Sequence, residues 1–246
     1  MLVKQTICEP QMILTLCTPL ILLTAYCITI FYFLKTYYKI QEALQWWSSR
    51  QSIKLFLEAE KIRDDLLQES FVIRRKLDLL TVEQLNTSTT GTEECLKKVD
   101  NFHHSLVNLS DRLFPTSLQD SLPLAIEYLL KPWIISHPCK YFGINLPASW
   151  RNEPAERSMI VLRTLEELLI ITIPEIVGPT SIYISLKQQE NLAELTVTIS
   201  YPDISLLQFY SRLPELDYLS ASFRFLTGGN CFSRSQDLNA MWYFCW

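Results

Sequence analysis

The chain has 246 residues, a formal net charge of −4 and 20% charged residues. That balance excludes a strongly basic nucleic-acid binder and a polybasic membrane-surface protein. The five glycines, at 91, 143, 178, 228 and 229, leave most of the chain without the local glycine needed where backbone wraps closely around a phosphate.

In chain order, the first predicted element is an apolar helix. Gln11 to Leu34 carries no charge, and its length as a helix, about 36 Å at ~1.5 Å per residue, covers a hydrocarbon core of about 30 Å. Lys35 and Lys39 follow directly, and no small-residue cleavage site is present, so a retained anchor is expected rather than a cleaved signal. Lys35, Lys39 and Arg50 on the C-terminal flank, against Lys4 and Glu9 before it, give a positive-inside bias. The expected localisation is therefore a single-pass membrane protein with its C-terminal domain cytoplasmic, or on the equivalent stromal side. Trp46 and Trp47 read either as interfacial anchors or as packing at a helix junction.

From Tyr38 to Leu85 there is neither Pro nor Gly. Leu55, Ala59, Ile62, Leu66, Ser70, Ile73, Leu77 and Leu80 recur in steps of three and four, a coiled-coil-like seam with one slip near Leu66, where two steps of four meet. A polar turn over 86–93 separates this helix from a second over 94–113, which stops at Pro115 and resumes over 118–135. The apolar face of such a hairpin needs cover, and a homodimeric four-helix bundle is the simplest way to provide it; an intramolecular bundle is the alternative.

The residues on this hairpin resemble a known family. Ala59-Glu60-Lys61-Ile62-Arg63-Asp64-Asp65-Leu66-Leu67-Gln68 is similar to the A-R-E-L-H-D-x-L-x-Q pattern of NarX-like sensor histidine kinases, matching at Asp64, Leu66 and Gln68. Leu113-Phe114-Pro115 resembles the break that ends such hairpins. In that resemblance the phosphoacceptor histidine position is Arg63, which stays protonated and offers no free ring nitrogen. His103 and His104 lie on the second helix, away from that position.

Beyond Pro147 the pattern changes. A helix is predicted over 154–173, alternating strands over 181–186 and 194–200 around a polar turn, a helix over 215–226 ended by Gly228-Gly229, and closing strands over 231–235 and 239–246. Helix, hairpin, helix, hairpin is a two-layer α/β sandwich. This order resembles the GHKL-type ATPase domain of the same kinases. The resemblance makes Glu167 the family glutamate, Ile171 the magnesium-holding asparagine position, and Pro174 and Glu175 the Lys-His pair; an isoleucine has no oxygen for a hard cation. The D-x-G-x-G motif has no counterpart around Ser200–Ile204, which lacks glycine. The terminal Trp242, Phe244 and Trp246 read either as a buried strand or as a contact face for a partner.

The expectation is an α+β protein: tail 1–10, transmembrane helix 11–36, hairpin dimerisation-like domain 37–146, and a degenerate ATPase-like sandwich 147–246. It is a pseudo-histidine-kinase without catalytic residues, metal or cofactor, acting as a regulator or scaffold through protein contacts. It is expected to be a homodimer at a membrane and not to bind nucleic acid. An accessory or assembly factor of a photosynthetic or respiratory membrane complex is the alternative, and an enzyme with an unconventional site a third reading.

Overall fold

The structure is a computed structural model describing residues 10–82, 89–113, 115, 117–173, 180–189 and 192–246; the side chains of 10–21 and of some helix positions, Arg63 and Leu80 among them, lie outside the described set. The long pattern without Pro or Gly becomes helix α1, Pro10–Lys61, then a π-helical turn over Ile62–Leu66, then α2, Leu67–Val82. The turn is closed by the Leu67 amide donating to the Ile62 carbonyl. It inserts one extra residue where the apolar seam slips, so Leu66 and Ile73 stay on one buried stripe. Helix α3, Thr89–Leu113, returns against α2. Lys76 of α2 bridges to Glu94 of α3.

The anchor expected over 11–36 needs correction: among the described residues no helix is long and apolar enough to cross a membrane. Helix α1 continues through Lys35, Lys39 and Glu42 into packing against the rest of the chain. The single-pass localisation, and the sidedness drawn from it, fall with the anchor.

Two further helices, α4 (Ser117–Asp120) and α5 (Leu122–Ser136), lead into the sandwich; Ser121 caps α5 by accepting from the Leu124 amide. The sheet contains β1 (Tyr141–Asn145), β2 (Ser181–Gln189), β3 (Leu192–Ser200), β4 (Asn230–Gln236) and β5 (Asn239–Cys245), in the order β1-β2-β3-β5-β4. Only β1 and β2 are parallel. They are joined through helix α6, Ala155–Thr172, as a parallel pair requires a crossover. β1 lies before residue 147, so the sheet begins inside the segment expected to form the hairpin domain. Helix α7, Ile204–Tyr210, follows β3, and α8, Pro214–Thr227, precedes β4.

Period-two alternation puts Ile182, Ile184, Leu195, Val197, Ile199, Trp242 and Phe244 on one face of the sheet, where α6 and α8 cover them. Trp242, Phe244 and Trp246 are thus core residues at 2, 0 and 8% exposure, not a contact face. Phe244 meets Phe223 of α8 edge to face at 5.0 Å. The Gly228-Gly229 stop works as anticipated. Gly228 takes φ 69°, the left-handed cap of α8, and a Cβ on Gly229 would sit 2.1 Å from the Cys245 carbonyl oxygen.

Candidate functional site

The chemistry implied by the resemblance converges on α6. Burial of Val161, Leu165, Leu168 and Leu169 fixes the rotation of this helix on the sheet. That rotation also carries Glu167 inward, onto the stripe of Thr164 and Ile171. Glu167 is fully buried, a position a carboxylate holds only with compensating charge.

Helix α1 supplies the charge. Arg50 Nε donates to Glu167 Oε2 at 3.2 Å. Lys54 Nζ lies 2.7 Å from Glu167 Oε1, an ion pair whose angle falls outside that of a hydrogen bond. The same Nζ donates to Glu166 Oε2 at 3.0 Å, where Arg163 Nη1 also arrives at 3.0 Å. Burial by itself would raise the Glu166 pKa, but the charges and hydrogen bonds of Lys54 and Arg163 outweigh it and hold the carboxyl below its usual range. Two adjacent acids on α6 are thereby tied to two cations one turn apart on α1.

The same face of α1 makes two further contacts. The Ser222 hydroxyl on α8 donates to the Ala43 carbonyl at 2.9 Å, with both residues buried. The Trp46 ring packs against Tyr218 of α8 at 6.2 Å, with Arg50 6.0 Å from its centroid. Trp46 is therefore a junction residue. Beside this seam α1, α5 and α6 frame an open cleft of about 1130 Å³ whose walls include Trp47, Leu124, Tyr128 and Met159.

The other positions singled out in the sequence do not gather here. Ile171 is nearly buried on α6 and contributes only carbon. Pro174 and Glu175 fall outside the described residues. Arg63 lies in the π-helical turn, with its side chain outside the described set. His103 and His104 are on α3 with ring centroids 6.3 Å apart, and both are exposed. Among the described residues no group of His, Cys, Asp and Glu has a metal-holding arrangement. Sequence reading missed Arg50 and Lys54. Their spacing of four on a helix, with Trp46 four before, was the available signal.

No family model matches the chain, and no curated protein matches it. Solved structures of sensor histidine kinases do. Acinetobacter baumannii histidine kinase AdeS is 11% identical, with 74% of this chain and 95% of that one covered at TM-score 0.38. A mycobacterial sensor histidine kinase, MprB, is 15% identical over 49% of this chain and 90% of that one at 0.35. The histidine kinase ThkA, in complex with its response regulator TrrA, is 13% identical over 85% and 65% at 0.38. At this level of similarity no activity and no residue role transfers from those proteins, and the functional reading rests on the geometry around Glu167.

Proposed function

We propose that this chain is a non-catalytic regulator or scaffold with a histidine-kinase-like fold, working through protein–protein contacts and dimerising through its helical region. One observation carries the reading: both oxygens of the buried Glu167 carboxylate are engaged by cations of the chain's own helix α1. In the resemblance, Glu167 is the glutamate of the ATP site. A hydrated magnesium ion needs several oxygen ligands in near-octahedral array. Here it would meet an isoleucine at 171 and a carboxylate already neutralised by Arg50 and Lys54. Phosphoryl transfer depends on positioning and charge stabilisation by such an ion, so a face closed in this way favours a role in binding.

Dimerisation is supported by the apolar surface of the helical region. Leu55, Phe56, Phe71, Leu77, Leu96 and Val107 are all exposed, more than a lone helical hairpin ordinarily leaves to water. The test is incubation of the full chain with magnesium and γ-labelled ATP. The expected result is no saturable nucleotide binding and no incorporation of phosphate. Nucleotide binding abolished by Glu167→Gln would overturn the reading in favour of an enzyme.

A further inference from the structure

The contact between α1 and the sandwich has the form of a recognition code. Four α1 residues reach α6 and α8: Ala43 by its carbonyl, Trp46 by its ring, Arg50 and Lys54 by their charges. Their spacing is three, four and four, which places all four along one face of a straight helix. The receiving surface answers each in turn. Ser222 is a buried donor, Tyr218 an aromatic, and Glu166 and Glu167 are acids ordered to meet the two cations.

We propose that the α6–α8 face is a docking site for a helix with this code, small–x2–aromatic–x3–basic–x3–basic, filled in cis by α1 and able to exchange it for α1 of a second copy. Charge complementarity names the occupant. Glu167 is buried whether or not nucleotide chemistry survives, and a buried carboxylate demands a cation. The chain's own α1 carries the matching pair. A second copy presents the identical side chains, so the site has no chemical basis for distinguishing cis from trans. Linkage alone decides which helix is bound, through the effective concentration of the tethered one. Ala43 fits closely enough to be 1% exposed, which restricts that position to a small residue. The inference rests on the protein-contact reading of the function and gives it a defined surface.

The test uses a fluorescein-labelled peptide of residues 40–57, titrated into the full chain and followed by anisotropy. Wild type, with its site filled in cis, is expected to bind weakly. The Arg50→Gln/Lys54→Gln variant, whose tether is weakened, is expected to bind at least tenfold more tightly. Ala43→Phe, a bulky neutral side chain that wedges α1 off α8 without altering the charge balance at Glu167, supplies a second opened form should the first fold poorly. Adding Glu167→Leu to either opened variant is expected to reduce peptide affinity at least tenfold, and a peptide with both cations replaced by Gln is expected not to bind. No saturable binding to either opened variant, equal affinity for wild type, or binding indifferent to Glu167 each overturns the proposal. None of those outcomes bears on nucleotide chemistry, which the ATP experiment addresses separately.

Discussion

The helical region and the sandwich solve the same problem in opposite ways. In the sandwich nearly every large apolar side chain on the inner sheet face is out of water, and α4, α5 and α7 add buried residues to the core that α6, α8 and the strands form. In the helical region Leu66 and Ile73 are buried while Leu55, Phe56, Phe71 and Leu77 are about half or more open. The contrast is one of cover: among the described residues one part buries its large apolar side chains and the other leaves them open. Helix α1 belongs to both: its central stretch lies against the sandwich, while Leu55 and Phe56 on it, and Phe71 and Leu77 on α2 beyond the π turn, stay open.

The largest expected effect separates the two regions directly. Phe244→Ala should remove about 3–5 kcal/mol, the cost of deleting a buried aromatic and leaving its cavity. Phe71→Ala, at a side chain 66% exposed, should change monomer stability by no more than about 0.5 kcal/mol. Urea unfolding of both variants at low protein concentration checks this. Comparable losses would mean that the helical region is already covered within one chain.

Next in size is the seam. Arg50→Ala with Lys54→Ala leaves Glu167 buried and unpaired, a loss of about 3 kcal/mol, the low end for a broken buried pair because Arg50 is partly open to solvent. Glu167→Leu removes the buried charge itself and should cost clearly less than the double substitution, even though it breaks the same two ion pairs. Thermal melts at one protein concentration give the comparison. If Glu167→Leu proved the worse variant, the carboxylate would be contributing through contacts other than those with α1.

These two regions were also unequally legible in the sequence. The β2–β3 hairpin, α6 and α8 could be read because their signals are local: alternation of Ile and Val with polar residues, a proline at the start, paired glycines at the end. The slip at Leu66 was visible as two successive steps of four, and it became the π turn. β1 was missed because Tyr141–Asn145 is short and contains Gly143, with Tyr183 packed where its Cβ would be. α7 was missed for its brevity, although Asp203 caps it by accepting from the Leu206 amide. Burial of Trp242 and Phe244 was readable from their period of two with Ala240. The seam was not, since Arg50 and Glu167 are 117 positions apart. Only Glu167 gave a local hint, as an acid on the apolar stripe of α6. The membrane anchor was read from freedom from charge over 11–34, and no helix among the described residues answers to it.

A smaller effect concerns the open apolar residues of α2. If a second copy covers them, Phe71→Ser and Leu77→Ser together should weaken self-association at least tenfold while the unfolding free energy of the monomer hardly moves. Sedimentation velocity across a concentration series reads this. An unchanged, purely monomeric profile for both wild type and variant would break the contrast drawn between the two regions.

The smallest effect is electrostatic and tests the join between them. Glu166 is held below its usual carboxylate range by Lys54 and Arg163 against the opposing pull of burial. A depressed folded-state pKa means that the unfolded chain takes up the proton first as acid is added. The contribution of Glu166 is therefore fully present above its ordinary value of 4.5, and it drains away as pH falls from there through the depressed value. Unfolding free energy measured between pH 7 and pH 3 should decline more steeply in this window for wild type than for Glu166→Gln. Lys54→Met should flatten the decline as well, because the charge that depresses the pKa is gone. A wild-type slope matching that of Glu166→Gln would place the acid sensitivity on other carboxylates. It would also leave Lys54 tied to α6 through Glu167 alone.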